Sequence, residues 1–428
     1  MIKKFLSHFL SPSLSRLLLQ PVALVVLLAS SVPALAELEL TISKTSDDGI
    51  PIYIANIPGG ATGVIEGDLK RSGRFTIIER SKITNLSAFG GELNGGEYND
   101  FTDYIVRGKE HEGGLQVELI STSDNAKTTY TISKNTNPRR VFHKAADKIY
   151  EKITREKGAF DTRLAYVTVT NKTSDNRQFR LYVSDSDGHK PQVILTSKQP
   201  IMSPAWSPDG KKLAYVSFED NSSAIYVQDI FTGEKFMLSS REGSNSAPAW
   251  SPDGTKVAMS LSFNGSPDIY IVDAKSGDFT RVTTSSAIDT EPSWSGTNSI
   301  VFTSDRGGSP QLYQIAATGG KAKRLTFDGK YNSAADIANK KLAFITGNRG
   351  AYNVAIKSLS GEGKDFLSNG TLDESPTLSP NGAMVAYTTM KNGENSLAVV
   401  SDNSKARQFL TSPVGDIREP AWSPYLNH

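Results

Sequence analysis

At 428 residues, with 38% hydrophobic and 21% charged side chains, the chain has room for two or three domains and lies outside the composition range of disordered proteins. Its 47 basic and 45 acidic residues nearly balance. Without the first 36 residues, which carry three bases and no acid, the formal charge is −1, so nothing in the charge points to nucleic acid. The absence of cysteine excludes disulfide staples, thiol nucleophiles and thiolate metal ligands.

Residues 1–36 read as a secretory signal. Lys3, Lys4 and Arg16 supply positive charge, residues 17–29 are mostly apolar though broken by Gln20 and Pro21, and Ala34-Leu35-Ala36 forms a small-x-small cleavage site. The apolar run is short for a membrane span. Cleavage between Ala36 and Glu37 makes Glu37 the mature N-terminus of an exported protein; an uncleaved anchor is the alternative.

Residues 37–157 contain no tryptophan and no repeat. Alternating or β-rich runs predict strands over 38–43, 52–55, 75–79, 104–108, 115–121 and 128–133, and 60–71 reads as a helix. Asn137-Pro138 opens a second helix as N-cap and first residue. Its apolar stripe is Val141, Phe142, Ala145, Ala146, Ile149, Tyr150 and Ile153, and Gly158 is expected to end it. The expectation is an α+β N-terminal domain, with helices packed on a mixed sheet.

From residue 163 the texture is all-β. All four tryptophans lie in Pro-x-Trp-Ser tetrapeptides, at Trp206, Trp250, Trp294 and Trp422. Asp336 and Leu378 hold the same place in two unmarked units, giving spacings of 44, 44, 42, 42 and 44 residues. Four short strands per repeat of this length is the pattern of a β-propeller blade. In Ser207-Pro208-Asp209-Gly210 and Ser251-Pro252-Asp253-Gly254, Pro presets φ, Asp closes an Asx-type bond and Gly accepts positive φ. Three strands after residue 163 lack a Pro-x-Trp-Ser before them, and Trp422 lacks strands after it. Together they complete one blade, so residues 163–428 are expected to form a six-bladed propeller closed by the C-terminal strand.

Catalytic patterns are absent. His111, His143, His189 and His428 fall on unrelated segments. His111-Glu112 lacks the second histidine of a zinc-protease helix and reads as a hairpin turn. There is no Gly-x-Ser-x-Gly, Gly59-Gly60-x-x-Gly63 lacks the P-loop lysine, and Asp185-x-Asp187-Gly188 is too short for a calcium loop. The long segments before each first strand converge on the channel mouth. They hold eight acids (Glu242, Asp289, Glu291, Asp328, Asp373, Glu374, Asp416, Glu419) and four bases (Lys198, Arg241, Lys330, Arg418). That acidic funnel suits a peptide, a basic protein surface or a cation. An enzyme using the mouth, lyase or peptidase-like with a channel metal, is the alternative.

Three stretches carry a family resemblance: Lys157-Gly158-Ala159-Phe160-Asp161-Thr162-Arg163 at the domain junction, Met202-Ser203-Pro204-Ala205-Trp206-Ser207-Pro208-Asp209-Gly210, and the closing Pro420-Ala421-Trp422-Ser423-Pro424-Tyr425-Leu426. With them the chain resembles the TolB family, periplasmic propeller proteins of the Tol–Pal system of Gram-negative bacteria. The resemblance implies a monomeric scaffold without cofactor, catalytic residues or metal, which supports outer-membrane integrity and constriction at cell division. Its implied partners are the lipoprotein Pal, the inner-membrane-anchored TolA, and further outer-membrane lipoproteins, porins or bacteriocin peptides. By position, the Pal-binding residues would be Ser244, Asn245, Ala247, Asp289, Thr290 and Glu291. Ser244 stands where many relatives carry histidine, so an imidazole role is not expected. The TolA-binding segment would be Glu37, Leu38, Glu39, Leu40, Thr41 and Ile42, an alternating run suited to adding to a sheet edge in TolA or in its own domain.

Overall fold

The computed structural model describes residues 39–44, 49–171, 176–348, 350–411 and 415–426. The signal segment, the cleavage site at Ala36 and Glu37, and Leu38 lie outside them. In chain order the first elements are β1 (Glu39–Lys44), β2 (Ile50–Ile54), α1 (Ala61–Arg71), β3 (Phe75–Ile77), β4 (Tyr104–His111), β5 (Gly114–Ser121), β6 (Lys127–Ile132) and α2 (Pro138–Thr154). Strands β3-β2-β4-β5-β6 form one mixed sheet, in which β2 runs parallel to β3 and β4. Both helices bury apolar stripes against it, Ile65 and Leu69 from α1, Val141, Ala145 and Ile149 from α2.

Helix α2 starts as its sequence dictates, with the Asn137 side chain accepting from Arg139 N at 3.2 Å. It stops at Thr154 rather than Gly158, because Arg155 takes the left-handed conformation at φ 64°. Gly158 serves a different purpose: a Cβ there would lie 2.4 Å from Asp147 Oδ1. Its absence lets the linker fold back on α2, where Phe160 N and Asp161 N donate to the Asp147 carboxylate at 2.7 and 3.1 Å.

Six blades of four propeller strands each follow, and β1 extends blade 5 to a five-stranded sheet. Blade 1 comprises Ile201–Trp206, Lys212–Ser217, Ala224–Asp229 and Lys235–Ser239 from axis to rim. The innermost strands of blades 2 to 5 are Asn245–Trp250, Asp289–Trp294, Tyr331–Ala338 and Glu374–Leu378. Blade 6 is composite. Its inner strand Asp416–Trp422 pairs antiparallel with Arg163–Thr170, Trp422 opposite Leu164, and Gln178–Asp185 and Gln192–Ser197 complete it. The tight turns behave as read: Asp209 Oδ1 accepts from Lys211 N at 3.0 Å, and Gly210 has φ 67°.

Every inner strand carries a bulge at the same place. The register skips between Ser246 and Ala249 in blade 2, and the five other inner strands skip at the equivalent step. The residue inside each skip has positive φ: Ser203 49°, Ala247 49°, Glu291 53°, Ala334 51°, Ser375 51° and Glu419 52°. A proline follows in five of the six. It is tolerated because the bulge suspends the ladder where its missing N–H would be needed. Residues 245–247 and 289–291, expected in loops, therefore run as the first half of inner strands.

The marker position ties neighbouring blades. Trp206 Nε1 donates to Ala421 O of blade 6 at 3.0 Å, and Trp294 Nε1 to Ala249 O of blade 2 at 2.9 Å. Trp250 Nε1 has no partner among the described residues. Where tryptophan is missing the roles reverse. The half-buried Asp336 of blade 4 accepts through its carboxylate from Leu378 N at 2.7 Å and Thr377 Oγ1 at 3.1 Å, both in blade 5. Thr377 Oγ1 in turn accepts from Trp422 N at 3.0 Å, so one chain of hydrogen bonds links blades 4, 5 and 6.

The α+β domain and the propeller share one apolar cluster that runs from Leu69, Tyr150 and Phe160 to Leu164, Tyr166 and Trp422. Polar ties frame it: Arg74–Asp402 at 2.8 Å, Arg71 Nη2 to Ser186 Oγ at 2.8 Å and Asn381 Nδ2 to Lys157 O at 2.9 Å. Strand β1 lies apart from the sheet of the α+β domain. It pairs antiparallel with Arg407–Thr411, the rim strand of blade 5, with Glu39 opposite Thr411 and Ile42 opposite Gln408.

Two expectations follow. Trp422 is 6% exposed and donates from Nε1 to Thr162 Oγ1 at 2.9 Å; Trp422→Ala should lower unfolding free energy by about 3–5 kcal/mol. Denaturant titration checks this, and an unchanged midpoint removes the closure role. Burial pushes the Asp147 carboxyl up to about 7, against the two amide bonds that hold it down. The folded chain then binds the extra proton, so this group's contribution falls as pH rises from the unfolded value of 3.8 to about 7. Asp147→Asn should therefore show a smaller rise in Tm from pH 7 to pH 5 than the parent chain, and identical profiles would place the titration elsewhere.

Candidate functional site

In blades 2 to 6, the loop that leads into the inner strand is stapled from below by one buried Asn or Asp. Asn245 donates to Arg241 O at 2.6 Å and Ser223 O at 3.0 Å, and accepts from Arg241 N at 3.0 Å. Asp289 accepts from Arg306 Nη2 at 2.8 Å and Ser285 Oγ at 3.4 Å. Asn332 donates to Asp328 O at 2.9 Å, Asp373 accepts from Thr389 Oγ1 at 2.6 Å, and Asp416 from Asn395 N at 3.0 Å. None of the five is more than 2% exposed. Asn245 and Asp289, expected to face a partner, instead hold the loops in shape. Of the other expected contacts, Ser244 is exposed, and Ala247, Thr290 and Glu291 are half-buried at the mouth.

Behind the mouth lies a channel of about 510 Å³, lined by the six bulge residues and the prolines that follow them. Two bulge residues are glutamates, and each caps a bulge amide of the next blade. Glu291 Oε2 accepts from Ala334 N at 2.8 Å and Thr303 Oγ1 at 2.8 Å, and Glu419 Oε2 from Ser203 N at 3.4 Å. Burial pushes the Glu419 carboxyl up; the Ser203 N–H opposes this, while Glu374 and Glu291 add to it. With Asp289, Asp373 and Asp416 buried, the acids left to face a partner are Glu242, Glu291, Asp328, Glu374 and Glu419. Arg418 is paired with Asp416 at 3.4 Å, and the exposed Lys198, Arg241 and Lys330 offset part of the remaining charge, so the acidic funnel read from residue counts is weaker in three dimensions. The structure adds what those counts missed, an apolar rim: Met202, Ile288 and Leu372 are 42%, 50% and 43% exposed. Apolar residues scattered over blades 1, 3 and 5 carry no periodic signal, so only the folded ring reveals them.

Among the described residues, one cluster has metal-ligating chemistry, formed by His143, Asp185 and Asp187. It lies at the domain junction, away from the mouth. His143 Nδ1 is 2.6 Å from Asp68 Oδ2. Burial alone would push the imidazole down, but Asp68 and Asp187 lift it above its ordinary value. Arg139 hydrogen-bonds Asp187 and lies 3.9 Å from Asp185, so a guanidinium already fills the position a cation would take. These residues come from three distant segments, which is why the sequence read His143 as isolated and Asp185–Gly188 as a plain turn.

Comparison with known proteins identifies the architecture. A family model described as the TolB β-propeller domain matches residues 150–426. The Tol-Pal system protein TolB of Xanthomonas euvesicatoria pv. vesicatoria is 45% identical over 410 residues, covering 91% of this chain and 93% of the relative. The protein of the same name from Xylella fastidiosa is 47% identical over 377 residues, covering 85% and 86%. The crystal structure of TolB from Acinetobacter baumannii matches with a TM-score of 0.84 at 36% identity, over 91% of this chain and 100% of that one. A composite sixth blade, a propeller joined to an α+β domain, and identity of this level along most of the chain place it in the TolB family of Tol-Pal system proteins.

Proposed function

We propose that the protein is a periplasmic binding scaffold, without catalytic activity, that bridges Pal at the outer membrane and TolA of the inner-membrane complex and so supports envelope integrity and constriction at division. The mouth of the propeller receives Pal. The observation that carries this reading is the mouth itself: stapled loops, an apolar rim at Met202, Ile288 and Leu372, and acidic charge partly offset by exposed bases. Rigid loops around exposed apolar anchors favour a protein partner, since little ordering entropy is lost on association. Thr290 and Glu291 lie at the edge of that surface.

The N-terminal segment is the proposed TolA contact. Its pairing with the rim strand of blade 5 uses the same backbone groups that strand addition to TolA would need. The two pairings compete, and partner binding that frees β1 would make it available.

Capture of the mature chain on immobilised Pal and on immobilised TolA tests both assignments. Thr290→Ala combined with Glu291→Gln, which keeps an acceptor for Ala334 N, should weaken Pal capture roughly tenfold, on the scale of a single interface anchor. Deletion of residues 37–46 should abolish TolA capture and leave Pal capture in place. Equal Pal capture by the double variant removes the assigned face, and retained TolA capture removes the segment.

A further inference from the structure

A lateral groove of about 430 Å³ runs between the rim of blade 3 and the outer strands of blade 4, lined by Lys323, Arg324, Phe327, Lys357, Glu362 and Lys364 among others. Several cations elsewhere on the ring are neutralised. Lys235 pairs with Glu219, Arg281 with Asp268, Arg306 with Asp289, and Lys341 with Asp402. Among the described residues, no carboxylate oxygen lies within 4.0 Å of Lys323, Arg324, Lys357 or Lys364.

The internal repeat shows how one of these partners was lost. In blade 2, Arg281 Nε donates to Thr283 O at 2.9 Å, Thr283 Oγ1 donates to Asp268 at 3.0 Å, and Asp268 neutralises the guanidinium. The same constellation recurs 43 residues later. Arg324 Nε donates to Thr326 O at 2.5 Å and Thr326 Oγ1 to Gln311 Oε1 at 2.9 Å. Gln311 stands where blade 2 has Asp268. The hydrogen-bond frame is kept and the charge removed, which leaves the Arg324 guanidinium unneutralised.

Blade 4 adds two more cations. Lys357 Nζ is held by Leu325 O at 3.4 Å, and Lys364 Nζ by Thr346 Oγ1 at 2.8 Å. Burial pushes the Lys364 ammonium down; Asp328 opposes this and Lys357 adds to it. Aromatic rings flank the charges. Arg324 lies 5.3 Å from the Phe327 centroid and Lys364 5.6 Å from that of Phe366, and these rings are 73% and 46% exposed. The rim strands here pair over only two residues each, Lys323–Arg324 and Asp365–Phe366.

We propose that this groove, separate from the mouth, binds an acidic peptide segment of a protein partner, with its carboxylates on Arg324, Lys357 and Lys364 and an apolar side chain against Phe327. A recessed cleft with an arginine beside exposed aromatic rings fits a peptide better than a flat membrane surface.

The test uses the mature chain and a fluorescein-labelled peptide of alternating Glu and Leu, followed by anisotropy at low and high salt. Binding that weakens with salt is expected, together with a roughly tenfold loss in Arg324→Gln/Lys357→Gln. Gln311→Asp, which restores the carboxylate found in blade 2, should weaken binding to a similar degree with no fall in melting temperature. Lys211→Gln/Lys275→Gln, at exposed sites elsewhere on the ring, should leave affinity unchanged. Unchanged affinity in either groove variant overturns the proposal, as does an equal loss in the control pair. Binding to phosphatidylglycerol vesicles, absent for the peptide and removed by the Arg324→Gln/Lys357→Gln change, replaces the peptide with a lipid headgroup and also overturns it.

Discussion

Closure of the ring at Trp422 is the constraint on which the rest of the molecule depends. The inner strand of blade 6 comes from the end of the chain and pairs with Arg163–Thr170, the first strand after the linker. The indole then donates to Thr162, within that linker. The contact that shuts the propeller is thus the one that anchors the α+β domain, and Trp422 belongs to the apolar cluster both domains share. A closed ring leaves only short, protected innermost edges around the channel, and each seam between blades can lean on the next. The chain of hydrogen bonds from Trp422 through Thr377 to Asp336 carries the effect of closure into the two blades that lack tryptophan.

The working face follows from the same geometry. Six bulges at one repeat position hold residues at positive φ, a backbone state that costs roughly 1–2 kcal/mol for a residue with a side chain. Its occurrence in every blade, with two glutamates capping amides of the following blade, marks it as part of the architecture rather than a local irregularity. The bulge turns the start of each inner strand towards the mouth, and the buried Asn or Asp beside it fixes the loop above. The result is a preorganised rim, which lowers the entropy lost when a large partner docks.

Charge is distributed by similar local substitutions. Asp289 pairs with Arg306 and Asp416 with the exposed Arg418, while Gln311 withholds a carboxylate from Arg324. Repeats of one frame thus yield a weakly acidic mouth and a positive groove on the outer wall. At the domain junction, Asp68, His143, Arg139 and Asp187 neutralise one another out of water. Breaking such a set would leave a buried charge unpaired, which makes the junction a cooperative element.

Much of the fold was legible because its signals are periodic and local. The Pro-x-Trp-Ser spacing reported the blades, the missing first strand at residue 163 and the surplus one at Trp422 reported closure, and Asn137-Pro138 reported the start of α2. Signals that depend on distant partners were not legible. Gly158 looked like a helix stop, yet it is small because Asp147 lies against it. Asn245 and Asp289 looked like contact residues, yet they are buried staples. Met202, Ile288 and Leu372 carry no mark in the sequence, and only the fold sets them around the mouth, at the starts of blades 1, 3 and 5. The sequence by itself determined the number of blades, the order of the domains and the turn chemistry, since each is written in residues close along the chain. Only the tertiary structure decided which acids face solvent, which cations lack partners and where β1 pairs, because those outcomes are set by which distant segments meet out of water.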